Sequence, residues 1–303
     1  MKILLLGKNG QVGWELNRSL QPLGEVIALD RHKNTDGLCG DVTNFDAIAQ
    51  VFASVCPDIV VNACAYTAVD KAQAEPQKAN LINHLSVKHL AELTKQHRAL
   101  LIHYSTDYVF DGTGDTAWTE NSKPNPINVY GQSKRDGELA LESSGADFIN
   151  FRTSWVYGLH GNNFLKTMLK LATTQETLNV IDDQIGSPTS ASLIADITSQ
   201  VLRHQQLKPA HTRFGHYHLA AQGACSWYDY ATFIFATADK MGLMLKVRQV
   251  NAIGTADYQS AARRPHNSRL NTQKLQQTFD LHLPHWQQGV EQVLGELIHD
   301  QQS

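Results

Sequence analysis

The stretch Gly7-Lys8-Asn9-Gly10-Gln11-Val12-Gly13 restricts the fold of this chain more than any other. It follows the apolar run Lys2–Leu6 and opens a helical pattern over Gln11–Leu20. A strand that meets three glycines and then a helix must turn tightly, with its backbone close to whatever lies above the turn. The free N–H groups at the start of that helix favour an anion. A tight turn without a ligand is the bland reading of the same glycines. Their place directly after the first strand favours a pyrophosphate cradle formed by Gly7, Gly10, Gln11, Val12 and Gly13.

The rest of the first half repeats the alternation. Glu25–Leu29, Asp58–Val61, Leu100–His103 and Phe148–Phe151 read as strands, and Asn44–Ser54, Pro76–His97 and Tyr130–Ser143 as helices. Near-continuous apolar strands between helices predict an α/β fold with a doubly wound parallel sheet of the Rossmann type. After Arg152 the regularity weakens. Helices are expected at Asn163–Thr173, Ser190–His204, Trp227–Met241, Leu275–Phe279 and Trp286–Leu297, and a strand at His216–Leu219. Gln205–Gly215 is the only linker-like stretch. The expected division is a dinucleotide-binding domain over 1–155, with part of 176–205 returning to it. A smaller, interleaved C-terminal α/β substrate lobe then spans 156–303.

The 303 residues carry a formal charge of −3, which gives no reason to expect a nucleic-acid or membrane partner. Gly7 ends the first apolar run well short of a signal-peptide core. Cys39, Cys56, Cys64 and Cys225 are scattered, without CxxC spacing. They read as reduced thiols in the cytoplasm.

Three further features carry chemistry. Asp30 ends the second strand, where a carboxylate receives ribose hydroxyls and favours NADH. Lys8 and Arg31-His32-Lys33 lie beside it and suit the 2′-phosphate of NADPH, so both cofactors stay open; these cations also fit a solvated face. Tyr130 and Lys134 stand at i and i+4 on one helix face. An ammonium there lowers the pKa of the phenol, ordinarily about 10, and fits it to exchange a proton with a substrate oxygen. Thr106, at the end of the preceding strand, supplies a hydroxyl for the same oxygen. Arg263 and Arg264 suit a diphosphate, or form a surface charge pair.

Beyond these motifs, the chain resembles the dTDP-4-dehydrorhamnose reductase family of extended short-chain dehydrogenases over its whole length. The matching stretches are Gly7–Leu16, Val61–Lys71, His103–Asp111, Asn128–Ser133, Phe151–Tyr157, Gly161–Phe164 and Ala262–Asn271. The resemblance implies NAD(P)H-dependent reduction of dTDP-4-dehydro-L-rhamnose, a step of dTDP-rhamnose and O-antigen (lipopolysaccharide) biosynthesis. It implies that Gly10, Gln11 and Val12 hold the pyrophosphate and Asp30 the ribose. Asp41 and Val42 would flank the adenine, and Ala65, Tyr66 and Thr67 the nicotinamide half. Tyr130 would be the proton donor, with Lys134 on the nicotinamide ribose. Thr106, Asp107, Trp155, Asn163, Arg263 and Arg264 would meet the nucleotide sugar. Some relatives bind Mg²⁺ at a homodimer interface through a carboxylate matching Glu15 and acidic residues near Ser192. This chain has Ser192 where a glutamate is expected, with Asp196 nearby, so it departs from the metal pattern. The rival readings are another nucleotide-sugar epimerase or dehydratase and a non-catalytic nucleotide-binding regulatory subunit. Thr106-Asp107-Tyr108 lacks the glutamate of the dehydratases, and an intact Thr106–Tyr130–Lys134 set counts against the second.

Overall fold

The computed structural model describes residues 1–207 and 213–302. The linker-like stretch Gln205–Gly215 therefore lies partly outside the described residues.

A six-stranded parallel sheet forms the first body. Its strands are β1 (Lys2–Leu6), β2 (Glu25–Leu29), β3 (Ile59–Asn62), β4 (Leu100–Thr106), β5 (Phe148–Thr153) and a sixth strand over Gly215–His218. The order across the sheet is Gly215–His218, β5, β4, β3, β1, β2. Neighbouring strands all run parallel. The chain steps from β1 outward to β2 and then back across to β3. The carboxyl ends of β1 and β3 thus flank the switch point, where ligands of such sheets bind.

Both faces are covered, which is why the strands read as unbroken apolar runs. On one face Ile3, Leu5, Val61, Ile102 and Phe151 pack against Leu16 of α1 (Gln11–Ser19) and Ile194, Ile197 and Val201 of the helix Ala191–Leu207. On the other, Leu4, Leu6, Val60 and Leu101 meet Val51 and Phe52 of α2 (Phe45–Val55) and Val87 and Leu90 of the helix Ser86–His97. Asn44 caps α2 through its side chain, with the Ala47 N–H donating at 3.0 Å.

A second core lies between the helices Phe164–Ala172, Trp227–Lys240 and Trp286–Gln302. It rests on a parallel pair formed by Thr177–Ile181 and Gln249–Ile253. The sequence predicts no strand at either segment, because each finds its partner about seventy residues away. Pro76–His97, expected as one helix, is divided: Pro76–Asn80, a π turn at Leu81–Leu85, then Ser86–His97. The wide turn carries Asn83, which brackets the Tyr66 peptide. The Tyr66 N–H donates to Asn83 Oδ1 at 2.8 Å, and Asn83 Nδ2 donates to the Tyr66 carbonyl at 3.0 Å.

Candidate active site

The glycine loop has the backbone its sequence requires. Gly7 sits at φ +87°, and a Cβ there would lie 2.9 Å from Cys64 Sγ. A Cβ at Gly13 would overlap the Gly7 carbonyl. Gly10, at the N-cap of α1, offers no side-chain acceptor to the first helical N–H groups. That leaves them to an anion above the loop, so these residues fit a dinucleotide pyrophosphate. Gln11 accepts from Asn163 Nδ2 at 2.9 Å, and Val12 packs against the sheet core.

Asp30 lies beside this loop. It accepts from the His32 N–H at 2.8 Å and from Asn9 Nδ2 at 2.9 Å, and Lys8 Nζ stands 3.7 Å away. The His32 N–H, with Asn9 and Lys8 behind it, keeps the carboxyl below its ordinary range although partial burial opposes this. Gly40, whose N–H reaches the Asp30 carbonyl at 2.8 Å, leads to Asp41 and buried Val42. Asp41 accepts from the N–H and hydroxyl of Thr43. Ala65 and Thr67 are exposed beyond β3, and the Tyr66 hydroxyl donates to Glu75 at 3.0 Å.

The chemistry gathers at the carboxyl end of β4. Thr106 donates to Asp107 Oδ1 at 3.0 Å and accepts from the Tyr108 N–H at 3.2 Å. Tyr130 lies beside this hydroxyl. Tyr130 and Lys134 lie on the helix Val129–Ser144, whose first turn is capped by Asn128: the Gly131 N–H donates to its Oδ1 at 2.8 Å. Asn128 Nδ2 in turn donates to the Arg263 carbonyl at 2.8 Å and ties that helix to the Arg263 segment. Lys134, 1% exposed, donates to the Tyr104 carbonyl at 2.5 Å. Burial brings its pKa down to about 8, with Glu138 opposing. The sequence reading expected the ammonium to lower the phenol of Tyr130. Here burial pushes that phenol up instead, and Thr106 only partly opposes it. Burial also raises Asp107 to about 6 against its hydrogen bonds with Ser268 and Thr106.

The other expected substrate residues divide. Trp155 adopts a left-handed backbone (φ +48°) and stacks on Trp227 at 3.5 Å between ring centroids, with planes 11° apart. Gly186 lies against it: a Cβ there would come within 2.5 Å of the indole. Trp227 was not singled out in the sequence, where it reads as the first residue of an amphipathic helix. Arg263 is exposed, whereas Arg264 pairs with Asp70 at 2.8 Å. Asn163 turns toward the glycine loop, donating to Gln11 and to the Gly158 carbonyl while capping its own helix through the Lys166 N–H.

Glu15 lies elsewhere, on a cavity of about 620 Å³ whose lining includes Trp14, Arg18, Ser192, Asp196 and Trp286 but not Tyr130, Lys134 or Thr106. Arg18 holds Glu15 at 3.5 Å and Asp196 at 3.0 Å, and Ser192 pairs with Ser190 at 3.0 Å. Arg18 engages both carboxylates and offsets one of their two charges, Glu296 also lines the cavity, and Ser192 stands in the third place, so the donor set is poorer in free carboxylates than a hard dication favours.

The chain matches the family described as RmlD substrate binding domain over residues 1–299. It is 53% identical over 298 residues to the dTDP-4-dehydrorhamnose reductase of Escherichia coli (strain K12), covering 98% of both chains. The chain belongs to this reductase family. Identity to the Salmonella typhimurium LT2 protein of the same name is 50% over 298 residues, again with 98% coverage of each. The family fold is equally clear. The crystal structure of dTDP-4-dehydrorhamnose reductase from Bacillus anthracis, in complex with NADP, superposes with a TM-score of 0.87 at 33% identity, covering 97% of this chain and 99% of that one. Its Clostridium acetobutylicum counterpart also gives 0.87, at 34% identity, with 98% and 100% coverage.

Proposed function

We propose that this chain reduces the C4 ketone of dTDP-4-dehydro-L-rhamnose to the alcohol of dTDP-L-rhamnose, with NADPH or NADH as reductant. The observation that carries this is the Thr106–Tyr130–Lys134 set at the carboxyl end of β4, in the same sheet as the glycine cradle and Asp30. The name shared by relatives at 50–53% identity supplies the substrate.

A reduced nicotinamide bound beyond β1 and β3 supplies the hydride for the carbonyl carbon. The hydroxyls of Thr106 and Tyr130 bind the carbonyl oxygen, and Tyr130 gives it a proton as the alkoxide forms. Hydride plus proton balance ketone to alcohol. Lys134 holds the nicotinamide ribose and, as an ammonium, stabilises the phenolate that Tyr130 leaves. Trp155, backed by Trp227, forms an apolar wall for the sugar. Asp107 meets a sugar hydroxyl, and Arg263 reaches the diphosphate. The four unpaired cysteines suit a reducing cytoplasm. Among the described residues no helix is long and apolar enough to cross a membrane. Cofactor stoichiometry tests the reaction class. A reductase consumes one reduced cofactor per product, whereas an epimerase or dehydratase forms product without net consumption.

The two arginines should respond differently to truncation. Arg263→Ala removes an exposed guanidinium with no partner among the described residues, and KM for the sugar nucleotide should rise about tenfold, the lower end for a charge-assisted hydrogen bond. Cofactor affinity should hold. Arg264→Ala breaks the Asp70 pair and should loosen the segment, lowering kcat as well. Steady-state kinetics beside a cofactor titration separates these outcomes, and an unchanged KM in Arg263→Ala removes it from the diphosphate.

Cofactor choice should turn on Asp30. Its carboxylate repels a 2′-phosphate, while Lys8 partly offsets that charge, so both cofactors should serve. Asp30→Ala should move the kcat/KM ratio toward NADPH by about tenfold, equivalent to roughly 1.4 kcal/mol. An unchanged ratio would place Asp30 away from the adenosine ribose.

A further inference from the structure

Behind Lys134 runs a row of buried hydrogen bonds that the reaction as described does not use. Asn62 ends β3 and is in register with His103 of β4. Both are 1% exposed. The amide of Asn62 has one orientation: the Cys64 N–H donates to its Oδ1 at 3.1 Å, so its Nδ2 faces His103 Nδ1 at 3.2 Å. His103 Nδ1 is therefore an acceptor, and a neutral imidazole must carry its proton on Nε2. Burial above all holds the imidazole pKa well below the usual value, with Glu138 opposing, and favours the neutral form.

His103 Nε2 lies 3.3 Å from Lys134 Nζ. An ammonium has donors only, so a charged Lys134 would set N–H against N–H. A neutral amine has a lone pair that accepts from Nε2–H, and it still donates to the Tyr104 carbonyl. The groups facing this nitrogen are His103 and that carbonyl from β4, with Tyr130 and Glu138 one turn away on its own helix. His216, on the edge strand, lies beyond His103. Glu138 favours the ammonium, but Arg152 and Arg135 already hold its carboxylate at 2.8 and 3.0 Å.

We propose that His103 is a positioning residue that disfavours the ammonium form of Lys134 while the nicotinamide-ribose position is empty, so that in alkaline solution filling it draws a proton onto Lys134. The inference rests on the reading of Lys134 as the ribose ligand. Ribose hydroxyls bring the acceptor oxygens that an ammonium needs and that the His103 side does not offer. Above about pH 8 the cation that stabilises the Tyr130 phenolate then appears together with the cofactor.

Isothermal titration of the full chain with NADH, in buffers of different ionisation enthalpy, counts the protons taken up. NADH is chosen because it lacks the titrating 2′-phosphate. At pH 9, a free Lys134 near pKa 8 moving to the ordinary lysine value of about 10.4 takes up about 0.9 proton per site; uptake at this residue should vanish near pH 6. His103→Gln presents an amide oxygen to the ammonium, charges Lys134 beforehand and should at least halve the uptake at pH 9 while NADH still binds. If that variant fails to fold, Asn62→Asp serves. Its carboxylate accepts a hydrogen bond from Nδ1–H, so the neutral imidazole carries its proton there and Nε2 becomes an acceptor for the ammonium, which should reduce uptake likewise. Wild-type binding without uptake at pH 9 would overturn the proposal. So would wild-type uptake in folded His103→Gln or Asn62→Asp, or in Lys134→Met, which would place the proton elsewhere. Failure of the assigned activity would show separately, as absent turnover of the sugar nucleotide with uptake intact.

Discussion

Tyr130→Phe is expected to lower kcat by about 10²- to 10⁴-fold, the usual contribution of a positioned general acid. The ring stays, so its edge-on contact with Tyr108, 5.6 Å between centroids, and its burial with Ala72 and Ala79 are kept. Only the transferable proton and one hydrogen bond to the carbonyl oxygen are lost. Cofactor affinity should change little, because the phenylalanine leaves the glycine loop, Asp30 and Lys134 untouched. KM should also change little if the hydroxyl acts mainly in the transition state. Single-turnover kinetics with saturating reduced cofactor measures the loss on the chemical step itself. A variant within a few-fold of wild type would remove Tyr130 as the acid.

Arg152→Leu should cause the largest loss of stability. Glu138 is fully buried on the face of its helix that meets the sheet, and Arg152 of β5 holds both of its oxygens at 2.8 Å. Burial would raise the Glu138 carboxyl, but Arg152 outweighs it and brings the pKa down to about 2. Removing the guanidinium leaves a buried carboxylate with Arg135 at 3.0 Å and the Asn150 amide, donating at 3.3 Å, beside it. The expected cost is about 3–5 kcal/mol, typical of breaking a buried pair by removing one partner. The urea midpoint should fall accordingly. The depressed Glu138 pKa gives the pH dependence its sign. Its contribution is complete above the unfolded glutamate value of about 4.3 and is lost as pH falls toward about 2. Arg152→Leu should therefore flatten the acid limb of stability over that window. An unchanged midpoint would mean that Arg135 and Asn150 suffice for Glu138.

The parts of the molecule that a local pattern could reveal were legible in the sequence. The five strands from β1 to β5 and the glycine cradle follow from apolar runs and turn residues, each readable within a dozen positions. Tyr130, Lys134 and Thr106 also come together as their order suggested, because one helical turn and one strand end suffice to place them. What stayed hidden depends on distant pairing. Thr177–Ile181 finds its partner only at Gln249–Ile253, and Trp227 reaches Trp155 only once the second core has formed. Asn62, Asn83 and His103 are single polar residues in apolar or helical segments. Their signal was a buried polar group with no obvious purpose, and only the fold shows which atoms they face. Arg263 and Arg264 looked equivalent, and Asp70 alone distinguishes them. The tuning of Tyr130 was read as an effect of lysine charge, whereas burial dominates in this structure.

The central claim is a hydride delivered to C4 of a 4-keto sugar nucleotide with a proton from this chain. Incubation with dTDP-4-dehydro-L-rhamnose and NADPH deuterated in the transferred position at nicotinamide C4 tests it directly, with the product analysed by NMR. The account predicts dTDP-L-rhamnose carrying one deuterium at C4, formed in step with oxidation of the cofactor. Product without deuterium at C4, or cofactor left reduced while the sugar is converted, would contradict it.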